Sequence, residues 1–219
     1  MITLQNSKFY HIYNFDNNHQ NLFESDEQYR FFLKIYDKYI SPIADTYAWV
    51  LMQNHFHLLI RVKETTEIPV YKYSMNNTDA VNINKTKWET SSNRNRELSK
   101  TPDPTKHFSH LFNTYSKFFN SLTDRSGALF SRPFKRTEIN CDQYLKKLLV
   151  YIHCNPVHHG FVEKLSDYKW SSYHTFFSSQ PTKLRRSEVI NWFDDLDNFE
   201  WVHIQKTEYY ENIKDLLLE

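Results

Sequence analysis

The spacing of apolar positions along the chain predicts a succession of short elements. Residues 9–15, FYHIYNF, are aromatic and β-branched over strand length and predict a first β-strand. Ser25-Asp26 then precedes Tyr29, Phe32, Leu33 and Tyr36, an apolar period of three to four after a good N-cap, so a helix is expected from Asp26 to Ile40, ahead of Pro42. Thr46 to Val62 is too rich in Val, Trp, Ile and Leu for a loop, and Gln53-Asn54 in its middle suits a tight turn, giving a hairpin, with one bent strand as the alternative. From Lys63 to Pro104 the apolar period disappears and Asn, Thr, Ser and Lys dominate, which predicts an irregular insertion, with a short ordered piece near Trp88. Leu111, Tyr115, Phe118, Phe119 and Leu122 restore the helical period up to a stop at Gly127. Ala128 to Ile139 reads as extended, and Asp142 to Cys154 as a helix ended at Asn155-Pro156, because a proline ring disfavours helical geometry at the residue before it. Beyond Pro181, Arg186 to Phe193 and Tyr209 to Leu218 are helical candidates of accessory character. The order strand, helix, hairpin, helix, strand, helix predicts an α+β domain with an antiparallel-rich sheet over 1–180, interrupted by 63–104, and an acidic helical extension over 181–219.

Composition narrows the function. Two glycines, Gly127 and Gly160, cannot write a dinucleotide fingerprint or a Walker-type phosphate loop, so no nucleotide cofactor is expected. Cys141 and Cys154 form no C-x-x-C pair, and no run approaches the ~18 apolar residues of a membrane span, which points to a reduced, cytoplasmic protein with no membrane partner. The net charge of +1 conceals a segregation: 85–150 holds 13 Lys and Arg against 6 Asp and Glu, whereas 187–219 holds 2 against 9. A basic middle of this kind suits a polyanion, and equally an ordinary solvated face.

Two clusters carry candidate chemistry. In Asn54-His55-Phe56-His57, residues at i and i+2 of a strand share a face, so two imidazoles point together while Phe56, Leu58 and Ile60 point the other way. Such a pair can hold a divalent metal; buried hydrogen-bonding histidines are the other reading, and the pair alone does not choose. Leu59 and Ile60 occupy the positions where a metallo-β-lactamase-like site needs Asp and His, and the two H-x-[ST] motifs of two-histidine phosphoesterases are not both present, since His107-Phe108-Ser109 supplies one. In Tyr151-Ile152-His153-Cys154-Asn155, the phenol and the amide are four residues apart and can share a helix face. The Asn155 carbonyl is a hard donor suited to Mg²⁺ or Mn²⁺; with His55 and His57 it would leave coordination positions for a phosphodiester, and Tyr151 would be the nucleophile. With 15 tyrosines in the chain, a packing role for Tyr151 is the competing reading.

Four blocks in order, 48–60 (AWVLMQNHFHLLI), 127–135 (GALFSRPFK), 151–160 (YIHCNPVHHG) and 170–173 (WSSY), together with His11-Ile12, resemble the single-tyrosine HUH transposases, and within them the REP-associated tyrosine transposases. The resemblance spans about residues 8–177; Gln53 stands where that family often has Pro, and the 63–104 insertion departs from its pattern. It implies a ferredoxin-like sheet carrying His55 and His57, with the Tyr151 helix packed beside it. It further implies attack by Tyr151 on single-stranded DNA near a hairpin, leaving a 5′-phosphotyrosine link and a free 3′-OH, with Mg²⁺ or Mn²⁺ at His55, His57 and Asn155. Lys106, Lys117, Arg125, Arg132, Lys135 and Arg136 are the expected phosphate contacts, with Tyr and Phe rings stacking on bases. The chain would act as a monomer or a homodimer.

Two other functions remain consistent with the same residues: a non-catalytic protein that grips hairpin or single-stranded DNA, and a metal-dependent phosphodiesterase that uses water.

Overall fold

The computed structural model describes residues 3–16, 21–69, 71–73, 98–100 and 102–216, with the backbone alone described over 71–73, 98–100 and 208–216. Its elements are β1 Phe9–Phe15, α1 Asp26–Ile40, β2 Ala44–Leu51, β3 His55–Val62, β4 Tyr71–Tyr73, β5 Leu98–Lys100, α2 Pro104–Leu122, β6 Lys135–Ile139, α3 Asp142–His158, α4 Arg186–Trp192 and α5 Leu196–Leu216. Four strands form one sheet in the order β2-β3-β1-β6, every pair antiparallel. With α1 after β1 and α2 before β6, this is the βαββαβ arrangement of a ferredoxin-like α+β fold.

Local chemistry explains the boundaries. Ser25 caps α1 by accepting from the Gln28 N–H, and Asp26 and Glu27 face the positive end of the helix dipole. Residues 52–54 turn the chain between β2 and β3, with the Met52 N–H donating to the His55 carbonyl at 2.8 Å. Asp103 caps α2 by accepting from Thr105 N–H and Lys106 N–H, so Pro104, expected to close the insertion, instead opens a helix at a position where its missing N–H costs nothing. β4 and β5 pair as a ribbon within 63–104; the ordered piece expected near Trp88 lies outside the described residues.

The helix expected to end at Asn155-Pro156 runs a turn further, to His158. Pro156 sits in the last turn, where its ring removes one bond, to the Ile152 carbonyl, and the terminus is closed instead by the His159 and Gly160 N–H groups donating to Asn155 and Val157. Gly160 takes the left-handed conformation there, with φ of 69°.

The sheet divides two cores. On one face Tyr10, Ile12, Phe56, Leu58 and Ile60 pack with Phe32 of α1 and Phe108, Leu111 and Tyr115 of α2. On the other, Val50 and Leu59 pack with Leu148, Leu149 and Ile152 of α3 and with Val189 and Phe199 of the tail. The tail helices are therefore part of the second core and not accessory: Phe199 is fully buried, and the Tyr47 hydroxyl on β2 donates to Glu188 at 3.0 Å. Cys141 is exposed, Cys154 buried, and both are free thiols. No helix among the described residues is long and apolar enough to cross a membrane.

Candidate active site

His55 and His57 stand on β3 two residues apart and share the α3 face of the sheet, their rings 5.1 Å between centroids and nearly perpendicular at 84°. His57 lies opposite Tyr13 of β1, and His11 lies opposite Leu59, so His11 and His57 are diagonal neighbours across the central strand pair. His11 Nε2 and His57 Nδ1 are 2.9 Å apart in a buried hydrogen bond. His55 Nδ1 is 2.7 Å from Asn54 Oδ1, an acceptor, so Nδ1 carries the proton and donates. Both histidines thus use Nδ1 on the protein and present Nε2 as their remaining nitrogen, an arrangement that orients imidazoles as ligands.

All three rings are held neutral. Burial lowers His55 to about 4, helped by the charge of neighbouring His159 and offset in part by the Asn155 amide beside it. Burial likewise brings His57 down to about 2, with His11, His55 and His159 adding like-charge repulsion, and His11 to about 4.

α3 brings the other half. Its buried face, Leu145, Leu148, Leu149 and Ile152, seats it on the sheet and turns Tyr151, half-buried, toward the histidines. The Tyr151 ring stands edge-on to His57, 5.7 Å between centroids. One turn on, Asn155 is fully buried; its Nδ2 donates to the Tyr151 carbonyl at 2.9 Å, and its Oδ1, although the amide lies beside the His55 ring, meets no donor in hydrogen-bond geometry. A buried carbonyl oxygen without a donor is an open demand for one, or for a cation. Among the described residues no group of three His, Cys, Asp or Glu forms a metal site, so a cation here would need this amide oxygen beside the two imidazoles. The donor set fits a divalent ion: two oriented nitrogens and a hard oxygen with an unused lone pair.

Tyr151, His57 and His11 also line an open cleft of about 1200 Å³ bounded by α3, α4 and α5. The four residues expected to form the site, His55, His57, Tyr151 and Asn155, are therefore together, and two lesser candidates of the sequence, His11 and His159, join them, the latter with its ring 5.1 Å from His55.

The expected phosphate contacts do not gather round this site. Lys106 and Lys117 are exposed on α2, in the layer on the far side of the sheet. Arg125 pairs with buried Asp16 at 3.5 Å, and Arg132 donates to Asn113 at 3.2 Å. Neighbouring strand residues alternate: Lys135 opposes Tyr13 on the histidine face, while Arg136 opposes Ile12 on the other, its guanidinium 4.5 Å above the Phe134 ring.

A second polar feature is a buried relay. Ser172 Oγ is 2.8 Å from His153 Nε2, His153 Nδ1 is 2.9 Å from His203 Nε2, and His203 Nδ1 is 2.7 Å from the Phe199 carbonyl. The carbonyl can only accept, which sets every proton: His203 donates to it, His153 to His203, and Ser172 to His153. Ser172 in turn accepts from the Trp49 N–H on edge strand β2 at 2.9 Å. The local signal is an i, i+4 pair, Phe199 and His203, in the tail; Ser172 and His153 lie 27 to 50 residues away from it in sequence and could not be read from it.

No protein-family model and no curated protein matches the chain. Among solved structures it is similar to a REP-associated tyrosine transposase bound to a REP hairpin, at 16% identity, over 83% of this chain and 86% of that one, with a TM-score of 0.49.

Proposed function

We propose that this chain cleaves and rejoins single-stranded DNA near hairpins, with Tyr151 as the nucleophile. The observation that carries the reading is the meeting of a half-exposed tyrosine, a pair of oriented neutral imidazoles and a buried unpartnered amide oxygen at the edge of an open cleft. A packing role for the tyrosine would explain none of the other three.

His55, His57 and Asn155 would hold a divalent cation, Mg²⁺ or Mn²⁺, which when bound supplies Lewis-acid polarisation of a phosphate oxygen. Tyr151 Oη forms a bond to phosphorus as the bond to the 3′ oxygen breaks; the phenol gives up its proton, the 3′ oxygen gains one, and the strand's 5′ end stays linked to the tyrosine. Because the phosphodiester energy is kept in that link, a 3′-OH can reverse the step with no nucleotide cofactor. His11 holds His57 in position through the 2.9 Å bond, and Asn54 does the same for His55 at 2.7 Å. Since Tyr151 and His57 of one chain are already in ring contact, the arrangement supports action within a single subunit.

The test is a hairpin oligonucleotide with single-stranded flanks, incubated with Mn²⁺ and resolved on a denaturing gel. A covalent adduct that vanishes in Tyr151→Phe supports the proposal. Cleavage that survives Tyr151→Phe assigns the attack to water, and binding without adduct assigns the chain to the non-catalytic DNA binders.

A further inference from the structure

The cleft beside Tyr151 is an open groove of about 1200 Å³, above the roughly 300–1,000 Å³ usual for small-molecule pockets, and it runs between the sheet, α3 and the tail helix α5. Its walls are unusual in two respects. Trp201 on α5 is 60% exposed and Tyr144 on α3 is 46% exposed, large rings left in water on facing elements of one groove. Lysines stand among them, Lys146 and Lys147 on α3 and Lys206 on α5, against one acidic wall residue among the described residues, Asp194. The tail as a whole is strongly acidic, yet among the described residues it lines this cleft with aromatic rings, Lys206 and one carboxylate, Asp194, and the lysines of α3 make the lining as a whole cationic.

We infer that this cleft is the binding track for the unpaired strand, with bases stacking on Trp201 and Tyr144 and phosphates running past Lys147 and Lys206 to reach Tyr151. The inference rests on the proposed function for its endpoint, the scissile phosphate at Tyr151. Exposed aromatic faces interleaved with ammonium groups match a single strand, whose bases present free π-faces between regularly spaced charges. A duplex buries those faces in its own stack and offers only its phosphates. The residues assigned here differ from the basic set of the α2 region, which lies largely across the sheet, and they give the tail helix a substrate-binding role. Because stacking does not depend on base identity, the track itself is tolerant of sequence.

The experiment is fluorescence anisotropy in the absence of divalent cation, with labelled oligothymidine of about 12 nucleotides, inside the ~4–16-nucleotide site sizes of single-strand binders, and with a duplex of equal length. Trp201→Ala and Tyr144→Ala should each weaken single-strand binding about 5- to 100-fold while leaving duplex binding and the melting temperature unchanged. Trp201→Phe should retain most of the affinity, and Lys147→Gln should reduce the slope of log K against log salt by about 0.7. Parent-like single-strand affinity in both alanine variants, or no single-strand binding by the parent, overturns the inference. The two readings separate cleanly: adduct formation with unaltered binding in Trp201→Ala and Tyr144→Ala removes the track and keeps Tyr151 as nucleophile, whereas ring-dependent binding without any adduct keeps the track and removes the nucleophile.

Discussion

Replacing Ser172 by alanine removes one hydroxyl and should unfold the protein far more readily than its size suggests. Ser172 Oγ is the junction of the buried relay, donating to His153 Nε2 at 2.8 Å and accepting from the Trp49 N–H at 2.9 Å. Without it the ring nitrogen loses its donor and the β2 edge its acceptor, in a region where Ser172 and His203 are fully buried and His153 is 1% exposed. Each orphaned group costs about 1–3 kcal/mol, so the pair comes to about 2–6 kcal/mol, or a fall of about 4–24 °C in Tm for a chain of this size. Thermal unfolding followed by circular dichroism measures it, with Ser109→Ala as a control on an exposed hydroxyl that donates to Thr105 within α2. The control should stay within about 0.5 kcal/mol of the parent. If Ser172→Ala is equally silent, the relay does not hold α3, α5 and β2 together. The same relay sets a pH dependence. Burial lowers His153 well below 6.5 and His203 to about 4, so an unfolded chain binds protons that the folded chain refuses. Stability is then complete above pH 6.5 and falls as the pH drops toward 4.

The site makes further predictions. Asn155→Leu should leave stability within about 1 kcal/mol of the parent, because the lost oxygen had no partner and the lost donor bond to Tyr151 is a single one; it should abolish the rise in Tm expected of the parent with Mn²⁺, and an undiminished rise excludes Asn155 as a ligand. His11→Phe keeps a ring on the sheet but removes the partner of His57 Nδ1, and calorimetric titration should show Mn²⁺ affinity down about 10- to 100-fold; unchanged affinity would make the 2.9 Å bond irrelevant to the site. Arg125→Met should destabilise by about 1–3 kcal/mol in urea unfolding through the buried Asp16 carboxylate, more than it changes single-strand affinity; the opposite ranking would return Arg125 to the phosphate contacts.

What the chain spells out by itself is what depends on neighbours in sequence. Ser25 before a three-to-four period places α1 at Asp26–Ile40, the strand alternation of His55 and His57 puts both rings on one face, and the spacing of Tyr151 and Asn155 puts phenol and amide on one helix. Local periodicity suffices for these because each is fixed within a turn or a few strand residues. The tertiary structure alone decides which faces meet. The order β2-β3-β1-β6 sets β1 beside β3, and only that register brings His11 to His57. The sheet sorts a basic stretch that looks continuous in sequence onto two sides, so Lys135 and Arg136, adjacent in the chain, serve opposite layers. Packing overrides the proline signal and carries α3 to His158, and it draws an acidic tail against α3, burying Phe199 and His203 and leaving Trp201 over the cleft. Those outcomes rest on contacts between segments tens of residues apart, whose free energy comes from burying surfaces that no local pattern pairs.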